Sequence, residues 1–179
     1  MRRLLPCALV VVLALAVAPL ATGTSRTAAQ RQLALEQGIL REVNRVRSAH
    51  GLDALTLSRG LQVAASFNTR ALLAQGVFEH DSAASGSFGG RLRRFYPAGN
   101  AHGWSVGENL LWGSAGINAE SAVKSWLESP GHRRIMLDPT WREAGVGAFA
   151  VASAPGVYSD AGPVVVVTMD FGSRAAAQH

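Results

Sequence analysis

The chain has 179 residues, of which 48% are hydrophobic and 16% charged, with a formal net charge of +5. That length supports one ordinary domain with a substantial core and excludes a disordered or collagen-like chain. All but one of the 17 basic residues are arginine, the exception being Lys124, and they are scattered along the chain, which argues against a nucleic-acid footprint.

Met1 to Gly23 has the three parts of a secretory signal. Arg2 and Arg3 supply the basic end, Leu4 to Leu20 the uncharged apolar run, and Ala21, Thr22 and Gly23 the small residues at a cleavage point. Cleavage after Gly23 is expected, with an uncleaved anchor as the alternative. The single cysteine, Cys7, leaves with this segment, so the mature protein has no thiol and its stability must come from packing.

From about Ala28 to His50, Leu35, Ile39, Val43 and Val46 recur at helical spacing, and Gly51 supplies a stop. Ser58 is placed to cap a second helix with Leu61, Ala65, Asn68 and Leu72 inside, ended by Gly76. Asn68 reads as a core amide with internal partners. His80 lies among turn formers, where either a loop role or a functional one is open. The cluster Arg91, Arg93 and Arg94 reads as a solvated helix face rather than a phosphate site.

Gly103 to Gly107 matches the G-x-S-x-G pattern of a hydrolase nucleophile elbow. The elbow needs a strand, a sharp turn and a helix, whereas Gly107 to Gly113 reads as extended chain, so the match is read as accidental. Asn118 can cap a helix carrying Ala122, Val123 and Trp126, which Pro130 ends. His132 opens another short helix, where the helix dipole would favour a neutral imidazole. Gly145 to Val151 alternates as a strand, Val157 and Tyr158 open a return path, and Val164 to Phe171 reads as a strand covered on both faces, with a frayed tail from Ser173. Helices first and strands last indicate an α+β, three-layer domain.

The early helix with Val43 to Arg47, the segments Phe78 to His80, Gly107 to Leu110 and Trp126 to His132, and the closing Gly145 to Gly147 and Asp170 to Gly172 occur in one order. In that order they resemble the CAP superfamily (SCP-like; cysteine-rich secretory, antigen 5 and pathogenesis-related class 1 proteins), most closely its bacterial secreted branch. The resemblance implies an α-β-α sandwich with a central antiparallel sheet and a cleft where His80, Glu108 and His132 face one another. It divides the chain into a signal at 1–23, a linker at 24–30, the CAP domain at 31–174 and a flexible tail at 175–179. Many eukaryotic relatives place a glutamate where this chain has Ser129. Glu128 is next to it, but one helical residue is a turn of about 100° and does not substitute.

His80, Glu108, His132, Ser129 and Asn109 are therefore the expected cleft residues, with no catalytic residue assigned. His80 and His132, with Glu108, are a candidate first shell for a divalent metal such as zinc, or alternatively a hydrogen-bonded polar cluster. The expectation is a secreted, extracellular monomer, with association to the cell envelope left open. It binds an unidentified lipid, glycan or peptide in the cleft, with no nucleic acid and no lasting membrane insertion. A non-enzymatic module is favoured, with a zinc-assisted hydrolase of peptide or ester bonds or a surface-acting scaffold as alternatives.

Overall fold

A computed structural model describes residues 28–175; the segment read as a signal, with Cys7, and residues 176–179 lie outside that range. The chain begins with a two-residue strand β1 (Gln30–Arg31), followed by α1 (Leu33–Ala49), β2 (Thr56–Leu57) and α2 (Arg59–Gln75). A short helix α3 (Phe88–Phe95) then leads into the long strand β3 (Gly103–Ser114). Two helices, α4 (Ala119–Glu128) and α5 (Pro130–Met136), precede β4 (Glu143–Val151) and β5 (Val164–Ala175). The sheet order is β1-β4-β5-β3, antiparallel throughout, with β2 added in parallel to the outer edge of β4.

The expected helices are present with shifted ends. The first begins at Leu33 rather than near Ala28, because Gln30 and Arg31 are taken up in pairing with β4. Its apolar face, Ile39, Val43 and Val46, is buried. Asn44 exchanges hydrogen bonds with the backbone of Leu55, and the buried Arg47 donates to the carbonyls of Met136 and Asp138 at 2.9 and 3.0 Å. Arg47 thereby caps the C-terminal end of α5 from a distant part of the chain.

β5 lies between β4 and β3, and Val164 to Phe171 are all buried, as the unbroken apolar run implies. Alternation divides its side chains between two layers. Val165, Val167, Met169 and Phe171 join Ile39, Val43, Trp126 and Met136 in the core beneath α1, α4 and α5. Val164 and Val166 face the other way and pack with Leu72, Leu110 and Tyr158. Continuing along that second face, Thr168 and Asp170 replace hydrocarbon with polar groups under α2. The helix lies close on β4 because Gly147 has no side chain: a Cβ there would come 2.5 Å from Ser66 N.

Two local expectations are corrected. Val157 and Tyr158 belong to a 3-10 turn, with Tyr158 buried and its hydroxyl donating to Val77 O at 2.7 Å, so this stretch is not a returning strand. Ser173 to Ala175 are not frayed either; they complete β5 opposite Gly103 to Ser105. The serine of the G-x-S-x-G match lies within β3, without the strand-to-helix turn of a nucleophile elbow.

Candidate functional site

Glu108 is the centre of the site. It stands on β3, the edge strand of the sheet, only 3% exposed, and alternation turns it toward α2. A carboxylate so buried must be matched by donors. Arg91 of α3, 2% exposed, donates from Nη2 to Oε2 at 2.5 Å, and Asn68 of α2 donates to the same oxygen at 3.0 Å. His80 Nδ1 lies 2.7 Å from Oε1 and donates to it.

The loop carrying His80 is held from both sides. Arg91 Nη1 donates to His80 O and to Ser85 Oγ, both at 3.3 Å, so one guanidinium fixes the loop and neutralises Glu108. Asp81 accepts from Phe88 N and Ser87 Oγ from Gly90 N, which tie the same loop to the start of α3. The His80 ring remains 56% exposed, with its Nε2 edge away from the carboxylate. Its hydrogen bond to Glu108 raises its pKa above the ordinary imidazole value, overcoming the opposing effect of burial.

His132 sits on the first turn of α5, a helix started by Pro130 and by Ser129, which closes α4 and opens α5. Its pKa is pushed down, first by burial and second by the charge on His80. The neutral ring expected from the helix dipole is favoured here by desolvation and its neighbour.

Asn109 departs from its expected place. Adjacent to Glu108 on β3, it points to the opposite face of the sheet, is 0% exposed, and donates to His132 O at 3.1 Å. It therefore positions α5 rather than lining a cleft. Ser129 is a helix junction whose side chain makes no hydrogen bond among the described residues; its carbonyl accepts from Arg133 N. Glu128 is 67% exposed and lies 3.9 Å from Lys124, away from Glu108.

Three residues of the site were not assigned to it from sequence: Asn68, Arg91 and Asp170. Arg91 corrects the reading of a solvated basic face, since only Arg93 and Arg94 of that cluster are exposed. Asp170 stands directly across from Glu108 in the β3–β5 register, completely buried, and no donor among the described residues reaches either of its oxygens. Burial, and then the charge of Glu108, hold its pKa well above the usual carboxylate range. The protonated form of Asp170 is thus favoured, because a single arginine serves two carboxyl groups.

The acceptors of Glu108 are largely taken up by protein donors. His80, Arg91 and Asn68 occupy both of its oxygens, and among the described residues no three His, Cys, Asp or Glu side chains are grouped to hold a metal ion. Glu108 stands behind His80 and fixes the tautomer of that ring.

This fold has counterparts among known proteins. The profile of the cysteine-rich secretory protein family, CAP, matches residues 40–171. That is most of the chain, and the protein belongs to this family. YkwD of Bacillus subtilis (strain 168), an uncharacterized protein, is 29% identical over 126 residues, which cover 70% of this chain and 47% of YkwD. The membrane protein YlbC of the same organism is 29% identical over 116 residues, 65% of this chain and 32% of YlbC. The chain thus spans under half the length of these curated relatives.

Among solved structures, an extracellular protein containing a SCP domain from Bacillus anthracis str. Ames superposes with a TM-score of 0.61 at 26% identity, over 80% of this chain and 41% of that one. An outer surface protein from Borrelia burgdorferi shares the fold with a TM-score of 0.60 at 17% identity, covering 82% and 99% of the two chains. Among the described residues no helix is long and apolar enough to cross a membrane.

Proposed function

We propose that this protein is an extracellular CAP domain that binds its ligand non-covalently at the His80 and His132 pair, and that it is not a hydrolase. The observation that carries this reading is the state of Glu108. A carboxylate has about four acceptor positions, and three are used by His80, Arg91 and Asn68. With 3% exposure it is poorly placed to act as general base toward a water molecule. Its role is to set the proton on His80 Nδ1 and leave Nε2 as the group a ligand meets. Export is supported by the basic and apolar N-terminal segment and by the extracellular protein from Bacillus anthracis that resembles this chain.

Two imidazoles, one backed by a carboxylate, suit two positions of a zinc-like coordination sphere, with water or ligand oxygen in the others. Bound there, the cation would supply a Lewis-acidic anchor for a ligand oxygen. Calorimetric titration of zinc into the metal-stripped protein tests this. Binding is expected in the native protein, none in the His80→Ala/His132→Ala variant, and about 10- to 100-fold weaker binding in Glu108→Gln. Equal heats in native and double-alanine proteins would remove the imidazole pair from the binding site. Peptide or ester turnover that disappears in the double variant would overturn the non-enzymatic reading.

A further inference from the structure

Charge is unevenly shared among the helices. α1 and α4 carry Glu36, Glu42, Glu120 and Glu128 beside their cations, whereas α2 and α3 contain arginines and no acidic residue. Arg59 and Arg70 stand on the outer stripe of α2, three helical turns or about 17 Å apart, both exposed, with the exposed Val63 between them. The end of α3 lies across the start of this helix, because Gly60 packs directly on the Phe95 carbonyl. From there Arg94 extends over the Phe67 ring of α2, at 5.7 Å, and so lies between the levels of Arg59 and Arg70. Arginines scattered in the sequence are thus gathered into one row by the packing of α3 on α2.

None of the three is neutralised within the molecule. Arg59, Arg70 and Arg94 form no ion pair among the described residues. Two of them are laid on aromatic rings instead, Arg70 at 6.0 Å from Phe149 and Arg94 at 4.9 Å from Phe95 as well as over Phe67. A guanidinium resting face-down on a ring keeps its N–H edge free, and that edge pairs with two oxygens of a phosphate at once. The surface between the cations is uncharged, made of Val63, Ser66 and Phe67.

We propose that this row binds a linear phosphodiester polymer without bases, a poly(glycerol phosphate) such as a cell envelope can display. Its phosphates would sit on Arg59, Arg94 and Arg70 and its carbon spacers over the uncharged surface between them. A single small anion would engage one guanidinium and gain nothing from the others, since they are strung along a helix and do not converge on a point. A nucleic acid would add bases that need open rings for stacking, but Phe67 and Phe95 already carry the Arg94 guanidinium. The proposal shares with the reading of the imidazole site only the extracellular location.

The test is equilibrium binding of a poly(glycerol phosphate) of about eight units to the purified protein in the form its cells release, at 50 and 200 mM sodium chloride. Three phosphate contacts predict an affinity about 20-fold lower at the higher salt, and Arg94→Gln, which leaves two, only about 7-fold lower. Arg59→Gln/Arg70→Gln/Arg94→Gln should abolish binding. Arg41→Gln/Arg45→Gln/Lys124→Gln removes the same net charge from α1 and α4 and should bind like the native protein. Equal losses in the two triple variants would show that net charge alone is at work and overturn the proposal. Far-ultraviolet circular dichroism matching the native protein establishes that these exposed substitutions leave the fold intact.

His80→Ala/His132→Ala should bind the polymer like the native protein whether or not it binds zinc, so this proposal and the metal-binding reading fail separately. Loss of polymer binding in that variant would move the ligand to the imidazoles and refute the row. An oligothymidylate with the same number of phosphates should bind more weakly. Equal or tighter binding would assign the row to nucleic acid, and sedimentation with phosphatidylglycerol vesicles that the polymer does not reverse would assign it to a membrane surface; either result would overturn the proposal.

Discussion

Replacing Asp170 by asparagine should stabilise this protein at neutral pH and change little in acid. Asp170 is 0% exposed, lies across from Glu108, and has no donor for either oxygen among the described residues. Its folded-state pKa is raised, so the folded chain holds a proton that the unfolded chain releases as pH climbs past the ordinary aspartate value of about 3.9. The resulting loss of stability is absent below that value. It grows with pH until the folded carboxyl ionises, at about 1.4 kcal/mol for each unit by which the pKa is raised. Asparagine keeps the shape and an N–H to offer Glu108, and it does not titrate. A buried polar group without a partner costs about 1–3 kcal/mol, which sets the expected gain at pH 7.5, equivalent to roughly 2–12 °C in melting temperature for a domain of this size. Urea unfolding of the native and Asp170→Asn proteins at pH 4, 6 and 7.5 reads the effect directly. The native protein should fall behind the variant as pH rises. A variant less stable than the native protein by the same amount at every pH would show that Asp170 is ionised and paired, and the account of the two carboxyls would be wrong.

The same cluster sets the other expectations. Arg91→Met should destabilise the protein by about 3–5 kcal/mol, because it leaves Glu108 buried without its cation, and Arg91→Lys should recover only part of this, having one point charge where the guanidinium reaches Glu108, His80 and Ser85; chemical denaturation measures both. Proton NMR of the metal-stripped protein should find His80 titrating above the ordinary imidazole pKa and His132 below it, with Glu108→Gln lowering the His80 value. The His80 contribution to stability is accordingly complete below about pH 6.5 and lost as pH rises through the elevated folded pKa, whereas His132 opposes folding as pH falls below about 6.5; titrations in which the two histidines coincide would deny them different surroundings. Asn109→Ala should cost about 1–2 kcal/mol and shift the His132 resonances, since it removes the hydrogen bond to the His132 carbonyl while leaving the His80 to Glu108 contact in place.

How much of the fold was legible follows from where each element's information lies. The inward faces of α1 and α2 repeat locally, so Ile39, Val43 and Val46, then Leu61, Ala65, Asn68 and Leu72, announce helices that the structure contains. Gly76 ends α2 in a left-handed conformation with φ of 70°, as a glycine after a periodic run suggests. The two-residue strands β1 and β2 carry no such signal. They exist because β4, more than eighty residues later in the chain, presents hydrogen-bonding groups at its edge, and local periodicity is blind to that partner.

The candidate site divides along the same line. His80, Glu108 and His132 were marked by short motifs in a familiar order, yet their chemistry depends on residues without a local signature. Arg91 looks the same as its exposed neighbours Arg93 and Arg94, and only the tertiary position of Glu108 distinguishes it. A signal for Asp170 did exist: in β5 it shares a face with Val164, Val166 and Thr168, so a strand covered on both sides must bury that carboxyl. Accounting for charge at that point would have required a cation, a proton or both, and the fold supplies one of each. This alters what the trio means. Glu108 spends its acceptors inward, on the arginine and amide that seat it, and outward only on His80; its influence on any ligand is therefore transmitted through the proton on that ring, and the variable surface of the site is the pair of imidazoles.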